Sequence, residues 1–187
     1  GWAVDDNNTR FQTGAMAGIR KTDLAGLELK WVFAFPGETI VESQPAVIDG
    51  RLYTGSRSGM FYALDATSGC TYWTFQADAP IKNAPRIEPI GEHKRLAVFF
   101  GDIAGWIYAL DAVSGELIWK IRSGGHPSAR IVGGFQHHAG ALYLGVSSLE
   151  EGQSMDPTYP CCSFRGSILK VDAATGRVQW QTYTIDE

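Results

Sequence analysis

The sequence predicts an all-β protein, a β-propeller built from four-stranded antiparallel blades. Three observations lead to this prediction. One fifteen-residue motif recurs three times, each copy follows another pair of short apolar runs, and no segment shows a sustained helical period. The 187 residues also include 22 Gly, six Trp, nine Phe and seven Tyr, a composition typical of short aromatic strands separated by tight turns.

The recurring motif occupies residues 59–73, 105–119 and 166–180, which read GMFYALDATSGCTYW, GWIYALDAVSGELIW and GSILKVDAATGRVQW. Five positions are identical in the three copies: the first Gly, the Asp, the Ala after it, the second Gly and the Trp. A fourth, degraded copy ends at Trp31 in the segment DLAGLELKW. Repetition at this fixed internal spacing is the signature of a repeat architecture.

Each conserved letter of the motif has a physical role. The Asp is expected to accept hydrogen bonds from backbone N–H groups two residues on, which reverses the chain in an Asx-turn. The second Gly stands where such a loop needs a positive φ. The Trp is large enough to pack between neighbouring sheets. These positions are Asp65, Asp111 and Asp172; Gly69, Gly115 and Gly176; and Trp73, Trp119 and Trp180.

Upstream of each motif lies a second pair of apolar runs. In the first unit these are residues 45–48 and 51–54, joined by Asp49-Gly50, which is a strong hairpin signal. Corresponding runs lie at 96–100 and 142–146, so each unit is expected to hold four short strands. A β-sandwich is the alternative, but it does not explain the recurring turn and Trp. About three to four blades do not close a ring, so we expect a partial propeller within a larger assembly.

Composition and charge exclude several function classes. The formal net charge is −4 without any Lys/Arg run, which argues against a nucleic-acid surface. No apolar stretch approaches the roughly 20 residues of a membrane span. The three cysteines, Cys70, Cys161 and Cys162, form no CxxC, so no zinc ribbon or c-type haem attachment site is encoded.

An insert of unusual length separates the second and third motifs. The motifs start 46 and then 61 residues apart, and the extra residues fall largely in 147–165. A long loop in a compact repeat is usually functional. This one contains Cys161-Cys162, whose Cα atoms would lie about 3.8 Å apart across a trans peptide, below the usual disulfide range of about 4.4–6.8 Å. A bond between them, a bond from either to Cys70, and a buried thiol all remain open.

Several segments carry a resemblance to a known family. They are Trp2 with Asn7–Phe11, Thr67–Trp73, His126–Ile131, and Ser147–Glu151 leading to Tyr159–Gly166. Together they resemble the propeller of the pyrroloquinoline-quinone (PQQ) dependent, or quinoprotein, alcohol dehydrogenases, and most closely the polyvinyl-alcohol dehydrogenases. The likeness spans almost the whole chain. The Ala-Leu-Asp-Ala repeat alone is less specific, because non-enzymatic propellers such as outer-membrane assembly factors also carry it.

The resemblance implies a set of cofactor-binding residues. A vicinal disulfide between Cys161 and Cys162 would cover one face of the planar PQQ. Arg165, three residues after the pair, and Arg130 would bind its carboxylates, because Arg suits bidentate carboxylate binding. Glu42, in a Glu-x-x-Pro setting, would accept from a cofactor N–H. The alternatives are a solvated strand-end Arg130 and an ordinary surface Glu42.

The resemblance further implies part of a PQQ-dependent alcohol dehydrogenase that oxidises secondary or polymeric alcohols in the periplasm or as a secreted protein. Ca²⁺, a cytochrome c electron acceptor and the remaining propeller blades would be its partners. Relatives place the catalytic Asp and the calcium ligands in later blades, so no catalytic or metal-binding residue is assigned here. The alternatives are a non-catalytic propeller that binds protein or polymer, and a sugar- or polymer-binding module with exposed aromatics. The adjacent His137 and His138 cannot chelate one ion on a strand, and His126 is expected to be a loop residue.

Overall fold

The computed structural model describes Thr9 and residues 11–186, which form three antiparallel four-stranded blades. Trp2 and the Asn7–Phe11 segment of the resemblance, apart from Thr9 and Phe11, lie outside the described residues. The first blade contains β1 (Ala46–Ile48), β2 (Arg51–Gly55), β3 (Met60–Asp65) and β4 (Thr71–Gln76). The second contains β5 (Arg86–Ile90), β6 (Arg95–Gly101), β7 (Trp106–Asp111) and β8 (Leu117–Arg122).

The third blade is built from β10 (Gln136–His138), β11 (Ala141–Ser148), β12 (Ser167–Asp172) and β13 (Val178–Tyr183), with the short β9 (Ala129–Arg130) pairing with the end of β11. In the described part of the chain, three short helices lie outside the sheets: α1 (Gly14–Ala17), a 3₁₀ helix (Lys21–Gly26) and α2 (Glu150–Gln153). The strands of each blade pair in chain order, so the prediction of four-stranded antiparallel propeller blades is confirmed. No helix in the described part of the chain is long and apolar enough to cross a membrane.

The motif turns have the expected Asx geometry. Asp65 Oδ1 accepts from the backbone N–H groups of Thr67, at 2.9 Å, and Ser68, at 2.6 Å. The Tyr72 hydroxyl donates to the same carboxylate at 2.5 Å and, with these backbone donors, lowers the pKa of Asp65 to about 2. Asp111 and Asp172 accept equivalent bonds in the other two blades. The φ angles of Gly69, Gly115 and Gly176 are 74°, 77° and 73°.

Each described Trp of the motif except the last docks on the turn of the next blade. The Nε1–H of Trp73 donates to the Ala112 carbonyl at 3.2 Å, and that of Trp119 donates to the Ala173 carbonyl at 3.0 Å. Trp31 makes the same contact with the Ala66 carbonyl at 3.2 Å, as expected of a Trp that ends a fourth copy of the motif. The predicted packing of Trp between neighbouring sheets is therefore confirmed.

Two hydrophobic clusters fill the seams, as we call the interfaces between neighbouring blades. The first seam, between blades 1 and 2, holds the stacked rings of Phe61, Phe100 and Tyr108. The second seam, between blades 2 and 3, holds aliphatic side chains together with Phe99 and Trp119. Two isoleucines from the segments between blades cross these seams at close range, because a Cβ on Gly55 would stand 2.3 Å from Ile81 and one on Gly101 would stand 2.4 Å from Ile131.

Candidate functional site

The insert and the linker between blades 2 and 3 are joined at one end of the third blade. His126 Nε2 lies 3.1 Å from Ser163 Oγ, and the His126 ring makes an edge contact with Phe164 at 5.3 Å between centroids. Ser128 Oγ donates to Gln153 Oε1 at 2.9 Å, which joins the linker to α2. The pairing of β9 with β11 lies beside these contacts. The 126–131 and 147–165 segments, separate in the sequence, thus form one loop cluster.

The cysteines of the insert are bonded to each other. Cys161 and Cys162 form a disulfide across a cis peptide bond, with Cα atoms 3.0 Å apart. Cys70 is a free, exposed thiol at the turn of the first blade. The structure therefore confirms the vicinal pair, and the alternative pairing with Cys70 is wrong.

Glu150 holds the segment on both sides of the disulfide. Its side chain is buried, and its carboxylate accepts from the Tyr159 hydroxyl at 2.8 Å, from Ser163 N–H at 3.1 Å and from Phe164 N–H at 2.7 Å. Burial alone would raise the pKa of Glu150, but the donors outweigh it and lower the pKa to about 2. The carboxylate is consequently ionised at neutral pH and fixes the chain before and after Cys161-Cys162.

Arg130 presents an unsatisfied donor beside this loop cluster. Its Nη1 donates to the Ile103 carbonyl at 2.5 Å, whereas its buried Nε has no hydrogen-bond partner among the described residues. A half-buried guanidinium with a spare, buried N–H fits an anionic group such as a carboxylate. Arg130 therefore fits a ligand that carries carboxylates.

Arg165 is turned towards the end of β13. Its Nε and Nη2 donate to the Ile185 carbonyl at 3.0 and 2.6 Å, and the guanidinium lies 4.4 Å from the centroid of the Tyr183 ring. These contacts hold the side chain three residues after the disulfide. Arg165 therefore belongs to the same loop cluster as Cys161-Cys162, but its guanidinium already has partners within the blade.

Glu42 lies shortly before β1, in an ion-pair cluster. Its carboxylate is 3.0 Å from Arg57 Nη1 and 3.1 Å from Lys82 Nζ. The described contacts do not bring it to the insert. A polar chain does lead that way, because Ser43 Oγ donates to the Asn83 carbonyl at 2.8 Å and Asn83 Nδ2 donates to the Ile131 carbonyl at 3.4 Å.

His126 and His137 each contact a neighbouring segment of the chain. His126 Nδ1 accepts from Ser128 N–H at 3.1 Å, so the ring hydrogen lies on Nε2, which donates towards Ser163 instead of removing its proton. His137 Nδ1 lies 3.4 Å from Glu88 Oε2 across the second seam, and its buried Nε2 has no hydrogen-bond partner among the described residues. Within Thr9 and residues 11–186, no three Asp, Glu, His or Cys side chains are grouped so that they would hold a metal ion.

Sequence reasoning missed Glu150, Arg57 and Lys82. Glu150 belongs to the Ser147–Glu151 segment, but the sequence Glu150-Glu151 does not indicate which of the two carboxylates is buried. Arg57 and Lys82 occupy the turn of blade 1 and the linker to blade 2, so alignment of the repeat units would have placed both of them near Glu42.

Comparison with known proteins gives a consistent family. A family model described as "Outer membrane protein assembly factor BamB" matches residues 15–185. The chain is 36% identical over 189 residues to a polyvinylalcohol dehydrogenase of Sphingopyxis sp. (strain 113P3), covering 100% of this chain and 28% of that protein. It is 35% identical over 186 residues to the polyvinylalcohol dehydrogenase of a Pseudomonas sp, covering 98% and 28%.

A solved structure shows the same fold. The quinohemoprotein alcohol dehydrogenase ADHIIG from Pseudomonas putida HK5 superposes with a TM-score of 0.63 at 24% sequence identity, covering 78% of this chain and 21% of that one. The chain spans 28% of the length of the two curated relatives it matches.

Proposed function

The chain belongs to the PQQ-dependent alcohol dehydrogenase family of β-propellers, and from that premise we propose that it forms one side of the cofactor pocket in an enzyme that oxidises secondary or polymeric alcohols. The observation that carries this proposal is the Cys161-Cys162 disulfide, which Glu150 fixes in a loop cluster that also contains Arg130. A plain scaffold has no evident use for such an insert.

The residues of this chain would bind and orient the cofactor. When bound, PQQ supplies a quinone that takes up the two electrons and two protons released as an alcohol becomes a carbonyl compound. The Cys161-Cys162 disulfide would lie against one face of the planar ring system. Arg130 would donate its spare Nε–H to a carboxylate, because a charged pair in a water-poor site is stronger than the same pair in water.

Arg165 and Glu42 have weaker support. Arg165 would need to exchange part of its contact with Ile185 to reach the cofactor. Glu42 would act from the far end of the polar chain that leads to Ile131, with Arg57 and Lys82 as its counter-ions. Both stay in the proposed pocket as secondary members.

The proposed domain is a partial propeller over residues 1–187, with repeat cores 59–73, 105–119 and 166–180 and a functional insert at 147–165. Two features of the third blade support a further blade beside it. Trp180 is 40% exposed, unlike Trp119, and no atom of the described residues lies within 4 Å of a Cβ placed on Gly145. The equivalent glycines, Gly55 and Gly101, are each covered by an isoleucine from the segment that leads to the next blade.

The remaining parts of the proposal follow the relatives. Ca²⁺ would accompany PQQ, a cytochrome c would accept the electrons, and the protein would act in the periplasm or outside the cell, where a disulfide is stable. The alternative is a non-catalytic propeller that binds protein or polymer, which the description of the matching family model favours.

Reconstitution separates the two functions. The full protein is incubated with PQQ and Ca²⁺ and assayed with an artificial electron acceptor for oxidation of propan-2-ol and polyvinyl alcohol. The proposal expects acceptor reduction that depends on both the quinone and the alcohol. Absence of turnover together with absence of quinone binding would establish the scaffold instead.

A further inference from the structure

The first seam is closed by large and charged side chains next to the loops. The backbone N–H of Asp78 donates to the Tyr108 hydroxyl at 3.0 Å. Lys120 Nζ lies 2.7 Å from Asp78 Oδ2 and 4.2 Å from the centroid of the Trp106 ring. These four side chains leave little free volume at that level of the seam.

The second seam has small or neutral residues at the same four positions. The repeat places Gly124, Ser167, Leu169 and Gln181 where the first seam has Asp78, Trp106, Tyr108 and Lys120. Ser167 follows the first Gly of its motif, Gly166, as Trp106 follows Gly105. Gln181 Nε2 donates to Ser167 Oγ at 2.9 Å, in the place where Lys120 contacts the Trp106 ring in the first seam. Loss of an indole and of a Lys–Asp pair opens this seam.

A cavity of about 160 Å³ results, next to the residues that follow the disulfide. Its walls come from the linker, the insert and the strands β12 and β13, including Ser123, His126, Ser163, Phe164, Gln181 and Tyr183. Engineered apolar cavities of about 150 Å³ hold a molecule of benzene. The space therefore accommodates a ligand of about six or seven non-hydrogen atoms.

The lining selects a neutral ligand with hydroxyl groups. Ser123 is only 2% exposed, and its Oγ has no hydrogen-bond partner among the described residues. The other polar groups are serine hydroxyls, an amide, a phenol and the imidazole of His126, which both donate and accept hydrogen bonds. Among the described residues no carboxylate lines the cavity to attract a cation, and the guanidinium of Arg165 is held by the Ile185 carbonyl. Phe164 and Val146 provide apolar contacts for a carbon chain.

We infer that this cavity is a substrate subsite that binds a second hydroxyl group of a diol or of a hydroxyl-bearing polymer. The inference rests on the proposed function, because Ser163 and Phe164 directly follow the disulfide that is proposed to cover the cofactor. Ser123 Oγ would exchange a hydrogen bond with the bound hydroxyl, which satisfies a buried group that otherwise has no partner. Simple alcohols with one hydroxyl group would not use the subsite.

Two variants and a control test the subsite. Ser167→Trp places in the second seam an indole equivalent to that of Trp106 in the first seam, and this side chain fills the cavity. Ser123→Ala removes the unpartnered hydroxyl and, since that hydroxyl makes no hydrogen bond, does not lower the melting temperature. Ser114→Ala makes the same change on an exposed turn. The probe is pentane-2,4-diol, and its binding to the full protein without quinone is measured by ligand-observed NMR.

We expect Ser167→Trp to abolish diol binding, Ser123→Ala to weaken it about fivefold, as for one lost hydrogen bond, and Ser114→Ala to leave it unchanged. With the quinone-loaded enzyme, both cavity variants raise KM for the diol while KM for propan-2-ol changes less than about twofold. If Ser167→Trp does not fold, the effect of Ser123→Ala on diol binding still tests the subsite.

Unchanged diol binding in Ser123→Ala and Ser167→Trp would overturn the subsite, as would equal rises in KM for both alcohols. Oxidation of both alcohols by these variants with wild-type KM values would remove the subsite and leave the proposed function standing. Diol binding at the cavity without oxidation of either alcohol by the wild-type holoenzyme would overturn the proposed function, and with it the assignment of the cavity to substrate.

Discussion

The indole ring of Trp119 lies on the backbone of Gly176, so that a Cβ added to Gly176 would stand 2.8 Å from Cδ2 of the ring. Trp73 covers Gly115 and Trp31 covers Gly69 in the same way, at 2.6 and 2.8 Å. The second Gly of the motif is therefore required twice, by its positive φ and by the aromatic ring of the preceding blade. This contact links one repeat to the next.

Gly176→Ala is expected to destabilise the protein more than Gly140→Ala. Both glycines have similar φ angles, 73° and 77°, but in the described part of the chain no atom lies within 4 Å of a Cβ on Gly140. The control Gly140→Ala is therefore expected to lower the free energy of unfolding by about 1 kcal/mol, because of the left-handed backbone alone. Gly176→Ala is expected to lower it by about 1–3 kcal/mol more, because the added Cβ displaces the indole. Urea unfolding of the two variants measures the difference, and equal losses of stability would show that Trp119 does not constrain the turn.

Glu150→Gln is expected to loosen the segment that carries the disulfide. Gln cannot reproduce the ionised acceptor of the Ser163 and Phe164 N–H groups, so their amide hydrogens should exchange about tenfold faster at pH 7. Hydrogen-exchange mass spectrometry of the full protein measures this rate. Glu151→Gln, an exposed neighbour, is the matched control and should exchange as the wild type does.

The same contact gives the protein a pH dependence with a definite sign. The pKa of Glu150 is about 2 in the folded protein against an ordinary value of 4.5, so its contribution to stability is complete above about pH 4.5. That contribution is lost as the pH falls from 4.5 towards 2, and the difference between wild type and Glu150→Gln should shrink over that range. A difference that is constant from pH 7 to pH 2 would contradict the role given to the carboxylate.

The sequence alone was sufficient to predict the blades, but it was not sufficient to predict the contacts of the candidate site. The Asp, Gly and Trp of the motif act through local geometry and a fixed spacing, so Asp65 and Trp73 were placed correctly. The partners of Glu42 and the buried state of Glu150 depend on contacts between segments that are distant in the chain. Arg130 was chosen by resemblance, and only the structure shows that its Nε lacks a partner.

The cysteines are expected to differ in reactivity. Within the residues of this chain, the native, non-reduced protein should take up one alkyl group, at the exposed Cys70. After reduction in denaturant, the same residues should take up three alkyl groups, one at each cysteine. Intact mass and peptide mapping of the two samples measure the labels. A peptide that joins Cys70 to either of the other cysteines would contradict the vicinal pair.

Arg130→Lys is expected to weaken PQQ binding by at least about tenfold, because the ammonium group of Lys cannot keep the Ile103 contact and also donate from the Nε position. Arg177→Lys, on the exposed turn of the third blade, is the control and should bind as the wild type does. Quenching of Trp fluorescence by added PQQ measures both affinities. An Arg130→Lys variant with unchanged affinity would remove Arg130 from the proposed pocket.

The most direct measurement for the proposed pocket is the dissociation constant of PQQ for the full protein and for its Cys161→Ser/Cys162→Ser variant. The proposed pocket predicts saturable binding of one PQQ by the wild type, weakened at least about tenfold when the disulfide is removed, with blade stability retained. Failure of the wild type to bind PQQ, or equal affinity in the two proteins, would contradict a pocket covered by this disulfide.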